Sequence, residues 1–228
     1  MDDIASWAAT QRPDVVLLSE VDRGWLLNGG HDDLARIDRG LGMRYHFAPA
    51  ADHLWGDALL TNLAVRDVHS HPLGRHDYPT GAQAQAIVLG IGDRELGLVN
   101  THLQAPAGQA AEVAAMVRAL AAGRSAAEAG PRSRETGEAI RPVILAGDLN
   151  IRPGDPEMRV LEQAGLSDPL LALGDPHTSP ADDPAKRIDH VLITDGLTAL
   201  SADAPLVRFS DHLPVVATVR LTTVDQQG

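Results

Sequence analysis

Short apolar runs bounded by glycine, proline and acids alternate along this chain with stretches of helical period. The most informative run is Val143-Ile144-Leu145-Ala146-Gly147-Asp148-Leu149-Asn150. Its apolar residues predict a buried strand, and Gly147 lets the backbone turn or approach a neighbour closely. An acid and an amide follow two residues apart. In extended backbone Asp148 and Asn150 point the same way. Pro153, Gly154 and Pro156 then stop the strand. Residues 14–19 read likewise as a buried strand that delivers Glu20 at its end. Further strands are expected at residues 45–48, 55–62, 187–194 and 215–221. Residues 85–91 and 95–100 flank Gly92-Asp93, a good hairpin turn, and the second of these strands delivers Thr101-His102-Leu103.

Four stretches have helical period. Ile4, Trp7 and Ala8 follow Asp2 or Asp3 as a cap, and Pro13 ends that helix. Residues 34–41 form a second, closed by Gly42. Residues 107–122 form the clearest, with Val113, Met116, Val117 and Leu120 in one apolar stripe and Gly123 after it. Residues 157–164 form the fourth. The charged stretch 124–138 reads as a surface loop, and 168–183 as a long proline-rich loop containing His177-Thr178. His69, His71 and His76 fall beside Pro72 and Gly74 in an expected loop. A His-x-His pair can bind metal, but no third ligand is evident, so a solvated loop is the reading taken. No internal repeat is present.

The 228 residues suit one domain, read as 1–222, with a polar, frayed tail at 223–228. A hydrophobic content of 44% and a charged content of 22% fit a water-soluble globular protein. Nineteen Lys and Arg against 31 Asp and Glu leave a net charge of −12. That balance disfavours a nonspecific grip on nucleic acid, but it admits a hydrolase that holds one phosphate through a divalent cation. The absence of cysteine excludes disulfides and thiolate zinc sites. No apolar run of about 18 residues exists, and the acidic start lacks the basic and apolar regions of a signal peptide. As given, the chain is expected in the cytoplasm, with no membrane crossing of its own.

Five motifs stand in order: Glu20 after a buried strand, Thr101-His102-Leu103, Gly147-Asp148-Leu149-Asn150, Arg187-Ile188-Asp189 and Ser210-Asp211-His212. Each is weak alone. Together, over residues 20 to 214, they resemble the endonuclease/exonuclease/phosphatase superfamily of DNase I-like enzymes. The resemblance implies an α+β fold of four layers, with two mixed β-sheets face to face, helices outside and a site at one end. It also implies metal-assisted hydrolysis of a phosphoester. By the family pattern Glu20 binds a divalent cation, usually Mg2+ with Mn2+ as a substitute, and Asp211 is a second metal-side carboxylate. Asp148 orients or activates the attacking water, and Asn150 holds that water or a phosphate oxygen. His102 and His212 contact the phosphate, with Asp189 orienting an imidazole, that of His212 by preference. Gly56 matches a family glycine, whereas Asp57 stands where an asparagine is common and Thr61 where a serine is usual.

The residue types suit this chemistry. A phosphodiester repels an anionic nucleophile, and a hard cation bound by carboxylates and water neutralises that charge. A carboxylate takes or aims the water's proton, and an acid beside a histidine keeps it oriented and cationic. The family's opening strand, with its metal-side asparagine, has no counterpart before Glu20. Its loss would expose a neighbouring sheet edge and remove one amide ligand. If the natural chain extends upstream, an anchor or export signal can lie there. The favoured partner is a lipid-linked or small phosphodiester. Competing readings are a nuclease whose basic patch forms only in the fold, and a non-catalytic phosphate-binding module. Oligomeric state is left open.

Overall fold

Strand β5 (Gln83–Ile91) shows how the layers stack. All but one of its residues are buried, so both of its faces are covered. Ala84, Ala86 and Val88 point one way, into a core shared with α3 (Pro106–Ala121) and α4 (Pro156–Glu162). Ile87 and Leu89 point the other way, into a core shared with Leu59 of a second sheet. Period-two alternation therefore gives one strand two different neighbours. In the computed structural model, residues 1–26, 29–50, 53–76, 81–134 and 139–222 are described.

The larger sheet has the order β4-β5-β6-β7-β8, with β4 at Ala64–Pro72, β6 at Arg94–Thr101, β7 at Val143–Asp148 and β8 at Asp189–Ile193. All its pairs are antiparallel except β6 with β7, which are joined through the crossover helix α3. The smaller sheet is β1-β3-β2, with β1 at Val15–Asp22, β2 at Arg44–Pro49 and β3 at Trp55–Thr61. Its outer face, with Ala58 and Leu60, packs against Ala5 of α1 (Asp2–Gln11) and against Leu34 and Ile37 of α2 (Asp33–Leu41). The result is helices, sheet, sheet, helices: the expected four-layer α+β sandwich. β9 (Leu197–Asp203) and β10 (Val216–Leu221) form a separate ladder that adds Leu197, Val219 and Leu221 to the inter-sheet core.

That core is apolar at one end and polar at the other. Beyond Ile87 and Leu89 the same face of β5 carries Gln85 and Gln83, both buried. They reach across the sandwich, where Gln85 donates to the His46 carbonyl and Gln83 to the Asp57 carboxylate. Asn100 of β6 donates in the same direction, to the Ala58 carbonyl. The polar end is where β1, β6 and β7 finish.

Three local expectations are corrected. His69 and His71 lie on β4, not in a loop. This strand is missed because an extra residue between Val65 and Asp67 shifts its alternation and a histidine, His71, takes a buried position. The first helix is capped at Met1 with no side-chain bond, and Asp2 and Asp3 occupy its first turn, where acids favour the helix dipole. In the stretch 124–138, of which 135–138 lie outside the described residues, Ala126 and Ala129 are buried and fastened to β4. The Ala126 amide donates to Asp67, and His71 Nε2–H donates to the Ala126 carbonyl. The tail 223–228 also lies outside the described residues. The sheet edge anticipated without the family's opening strand is present: among the described residues β1 pairs only with β3.

Gly147, at φ +139, is a point of close approach near the site, since a Cβ there would lie 2.0 Å from the Thr101 carbonyl oxygen. Gly147→Ala must push β7 from β6 and hold a strained φ. A loss of more than about 3 kcal/mol is expected, read as a lower midpoint in chemical denaturation.

Candidate active site

Five chain segments deliver the site, and backbone bonds lock three of them together. The Leu103 amide donates to the Asp148 carbonyl at 2.9 Å, fixing the His102 turn to the end of β7. The Leu149 amide donates to the Ile188 carbonyl at 2.9 Å, fixing Asp148 and Asn150 beside β8. In the β7–β8 register Asp148 stands opposite Asp189. Asn150 takes a left-handed backbone (φ 50). Its amide N–H donates to Asp148 and its Nδ2 donates to the Leu103 carbonyl. Asp148 and Asn150 therefore meet through a turn, with the strand ending at Asp148.

Glu20 arrives differently. β1 does not stop at it but continues to Asp22 across an irregularity between Leu18 and Val21. Within that bulge Glu20 has φ 56, and its carboxylate is 56% exposed. Bulges of this kind re-aim side chains near sites. The Glu20 carboxylate lies 3.8 Å from Nδ1 of His102.

Asp148 is the centre. Its Oδ2 lies 3.7 Å from His102 Nε2 and 3.7 Å from His212 Nδ1. Burial pushes the Asp148 carboxyl up, Asp189 adds to the rise, and the two histidines and the Asn150 amide oppose it. His212 Nδ1–H donates to Asp189, with its oxygens at 3.0 and 3.2 Å. This bond, above all, raises the His212 pKa, against the effect of burial. Asp189 thus orients His212, as the resemblance implies, and not His102. Asp211 is exposed, and its Oδ1 accepts from the Ser210 hydroxyl. The acidic and histidine groups within 4.8 Å of one another are Asp148, Asp189 and His212, so Glu20 and Asp211 lie outside that trio.

Two positions that sequence reading passed over support this centre. Thr178 is fully buried; its hydroxyl donates to Asp189 and its carbonyl accepts from the Leu213 amide at 2.7 Å. It joins both halves of the His212–Asp189 pair. Arg187 is also buried, and its guanidinium donates to Asp168 (2.8 Å), Asp175 (2.7 Å) and His190 Nδ1 (3.0 Å). His190 in turn donates Nε2–H to the Ile151 carbonyl, just beyond Asn150. The only sequence signal for either was adjacency: Thr178 beside His177, and Arg187 at the head of Ile188-Asp189.

The pH behaviour of this pair is a direct check. A histidine with a raised folded pKa stabilises the fold fully below its ordinary value near 6.5, and this contribution fades as pH rises through the raised value. In Asp189→Asn the His212 pKa is expected to fall back toward the ordinary value, read by NMR titration of the imidazole. An unchanged titration would show that Asp189 does not charge His212.

A family model described as "Endonuclease/Exonuclease/phosphatase family" matches residues 1–212. Among curated protein sequences none matches the chain. Solved structures do. A mannosyl-6-phosphatase of Bacteroides thetaiotaomicron is 17% identical with a TM-score of 0.75, covering 96% of this chain and 90% of that one. The human Nocturnin catalytic domain, with bound sulfate, is 21% identical with a TM-score of 0.72, covering 96% and 84%. A family protein of Leptotrichia buccalis is 14% identical with a TM-score of 0.70, covering 96% and 92%. At these identities the structures show the shared fold. With the family model spanning all five motifs from Glu20 to His212, the chain belongs to the endonuclease/exonuclease/phosphatase family of phosphoester hydrolases.

Proposed function

We propose that this chain is a divalent-metal-dependent phosphodiesterase acting on a lipid-linked or small phosphodiester. The observation that carries the reading is Asp148 held 3.7 Å from each of two histidines, one of them backed by its own carboxylate. That arrangement supplies an acceptor for a water proton between two groups able to meet phosphate oxygens. The donors suit a hard cation, being carboxylates and an amide with no cysteine. Glu20 and Asp211 would hold Mg2+, or Mn2+, with waters completing the shell. The bound cation neutralises phosphate charge and stabilises the leaving oxygen.

The protein's own groups do the rest. Ionised Asp148 takes or aims the proton of the attacking water, and its raised pKa makes it a better acceptor than an ordinary carboxylate. The Asn150 side-chain nitrogen donates to the Leu103 carbonyl, so its amide oxygen is the atom that would accept from a water. His212, kept cationic by Asp189, meets the phosphate and can return a proton to the leaving oxygen. His102 stands between Glu20 and Asp148 and contacts the phosphate from the other side. The net charge of −12 favours a substrate with few phosphates over nucleic acid. Likeness to a mannosyl-6-phosphatase supports a sugar phosphomonoester as the second reading.

Chromogenic phosphodiesters and phosphomonoesters, tested with Mg2+, Mn2+ or EDTA, decide the matter. Hydrolysis is expected to need metal and to fall about a hundredfold to ten-thousandfold in Asp148→Ala. The ratio of diester to monoester turnover separates the two readings. Well-folded protein inert on both, and on DNA, would instead make this a phosphate-binding module.

A further inference from the structure

Asp57 is an acid of the site region that the mechanism above does not use. It lies on the inter-sheet face of β3 with Leu59 and Thr61, and is 2% exposed. Its strand cannot shift easily, because a Cβ at Gly56 would lie 2.0 Å from the Ala48 carbonyl oxygen. Gln83 Nε2 donates to Asp57 Oδ2, and Gln83 is itself held by the Ser70 hydroxyl. The Glu20 amide donates to Asp57 Oδ1 at 3.4 Å. That bond holds the left-handed residue of the β1 bulge, the one whose carboxylate is presented to solvent. The His102 imidazole, when protonated, also acts on Asp57.

All the partners that the structure gives Asp57 are amides and a histidine; no lysine or arginine is among them. A buried carboxylate with no lysine or arginine beside it is unfavourable, and the Gln83 and Glu20 amides compensate for it only in part. A neutral asparagine, the residue common at this place in the family, would fill the volume without that penalty. The acid lies directly beneath the two groups, Glu20 and His102, that border the open end of the site.

Resting on the metal-dependent reading above, we infer that Asp57 is a positioning residue for the divalent-cation site. Its carboxylate fixes the backbone of Glu20 and adds a buried negative charge beneath it, so that cation binding completes a charge balance the folded chain leaves open. Groups behind the ligands tune metal affinity in this way in metal sites generally.

The test uses the full chain and Mn2+ alone, with free Mn2+ read by EPR and stability read by thermal melting in EDTA. Asp57→Asn is nearly isosteric, and the Gln83 amide can reverse because the Ser70 hydroxyl either donates or accepts. Asp57→Asn is expected to melt at or above the wild-type temperature and to bind Mn2+ about tenfold more weakly. The Mn2+ concentration for half-maximal hydrolysis should rise in step, with kcat at saturating Mn2+ much less affected. A purely structural role would lower stability and leave Mn2+ affinity unchanged, and that result overturns the inference. If Asp57→Asn does not fold, Asp57→Ser, which leaves room for a water at the Gln83 amide, is read the same way. Wild-type protein that binds no Mn2+ would overturn the metal-dependent reading together with this one, whereas wild-type binding matched by Asp57→Asn sinks only the role of Asp57.

Discussion

The close approach of Gly147 to the carbonyl of Thr101 is the constraint on which the site depends. β6 and β7 are the only parallel neighbours in the larger sheet, and both end at the same edge. Because position 147 carries no side chain, the backbone of β7 comes in against the last residue of β6. His102 then turns over the end of the sheet and its neighbour Leu103 bonds to Asp148. A wider spacing would separate the histidine from the carboxylate. Ligand sites gather at such strand ends because there the backbone is free to turn while the sheet fixes where each turn begins.

The sandwich core changes character toward that edge. Ile87, Leu89, Leu96 and Leu98 fill it with hydrocarbon on one side, where burial of apolar surface stabilises the packing of the two sheets. Gln83, Gln85, Asn100 and Asp57 replace them beneath the site. Each of these polar groups costs free energy to bury, and each recovers part of it by bonding across the sandwich. A polar floor ties the two sheets by directional bonds where the positions of Glu20 and His102 matter.

Two buried acids near the site are handled oppositely. Asp168 is matched by Arg187, whose guanidinium also binds Asp175 and His190, so its charge is satisfied within the fold. That network anchors the segments on both sides of Asp189 and the residue after Asn150. Asp57 has only neutral donors and a histidine, and burial pushes its carboxyl up to about 6. The first arrangement is closed, with nothing left to bind. The second remains open to a positive charge.

The sequence by itself determined most of the elements, because apolar period and turn residues are local signals, and five ordered motifs carried the family resemblance that implies the fold class. Runs such as Val143 to Ala146 and the stripe on α3 could be read without knowing any neighbour. Which residues converge (Glu20, His102, Asp148, Asn150, Asp189 and His212) was legible through that resemblance, since each stands in or beside a motif of the family. Edge strands β4 and β9 escaped, since an extra residue in each shifts the apolar alternation part-way along. Only the tertiary structure decided that Glu20 projects from a bulge, that Asp211 stands apart from the trio around Asp148, and that Thr178 joins Asp189 to the segment of His212. Those facts depend on register, on left-handed backbone at Glu20 and Asn150, and on contacts between residues far apart in the chain. Asp57 shows the difference most plainly. In sequence it is one acid after a glycine; its meaning comes from burial between two sheets without a cation beside it.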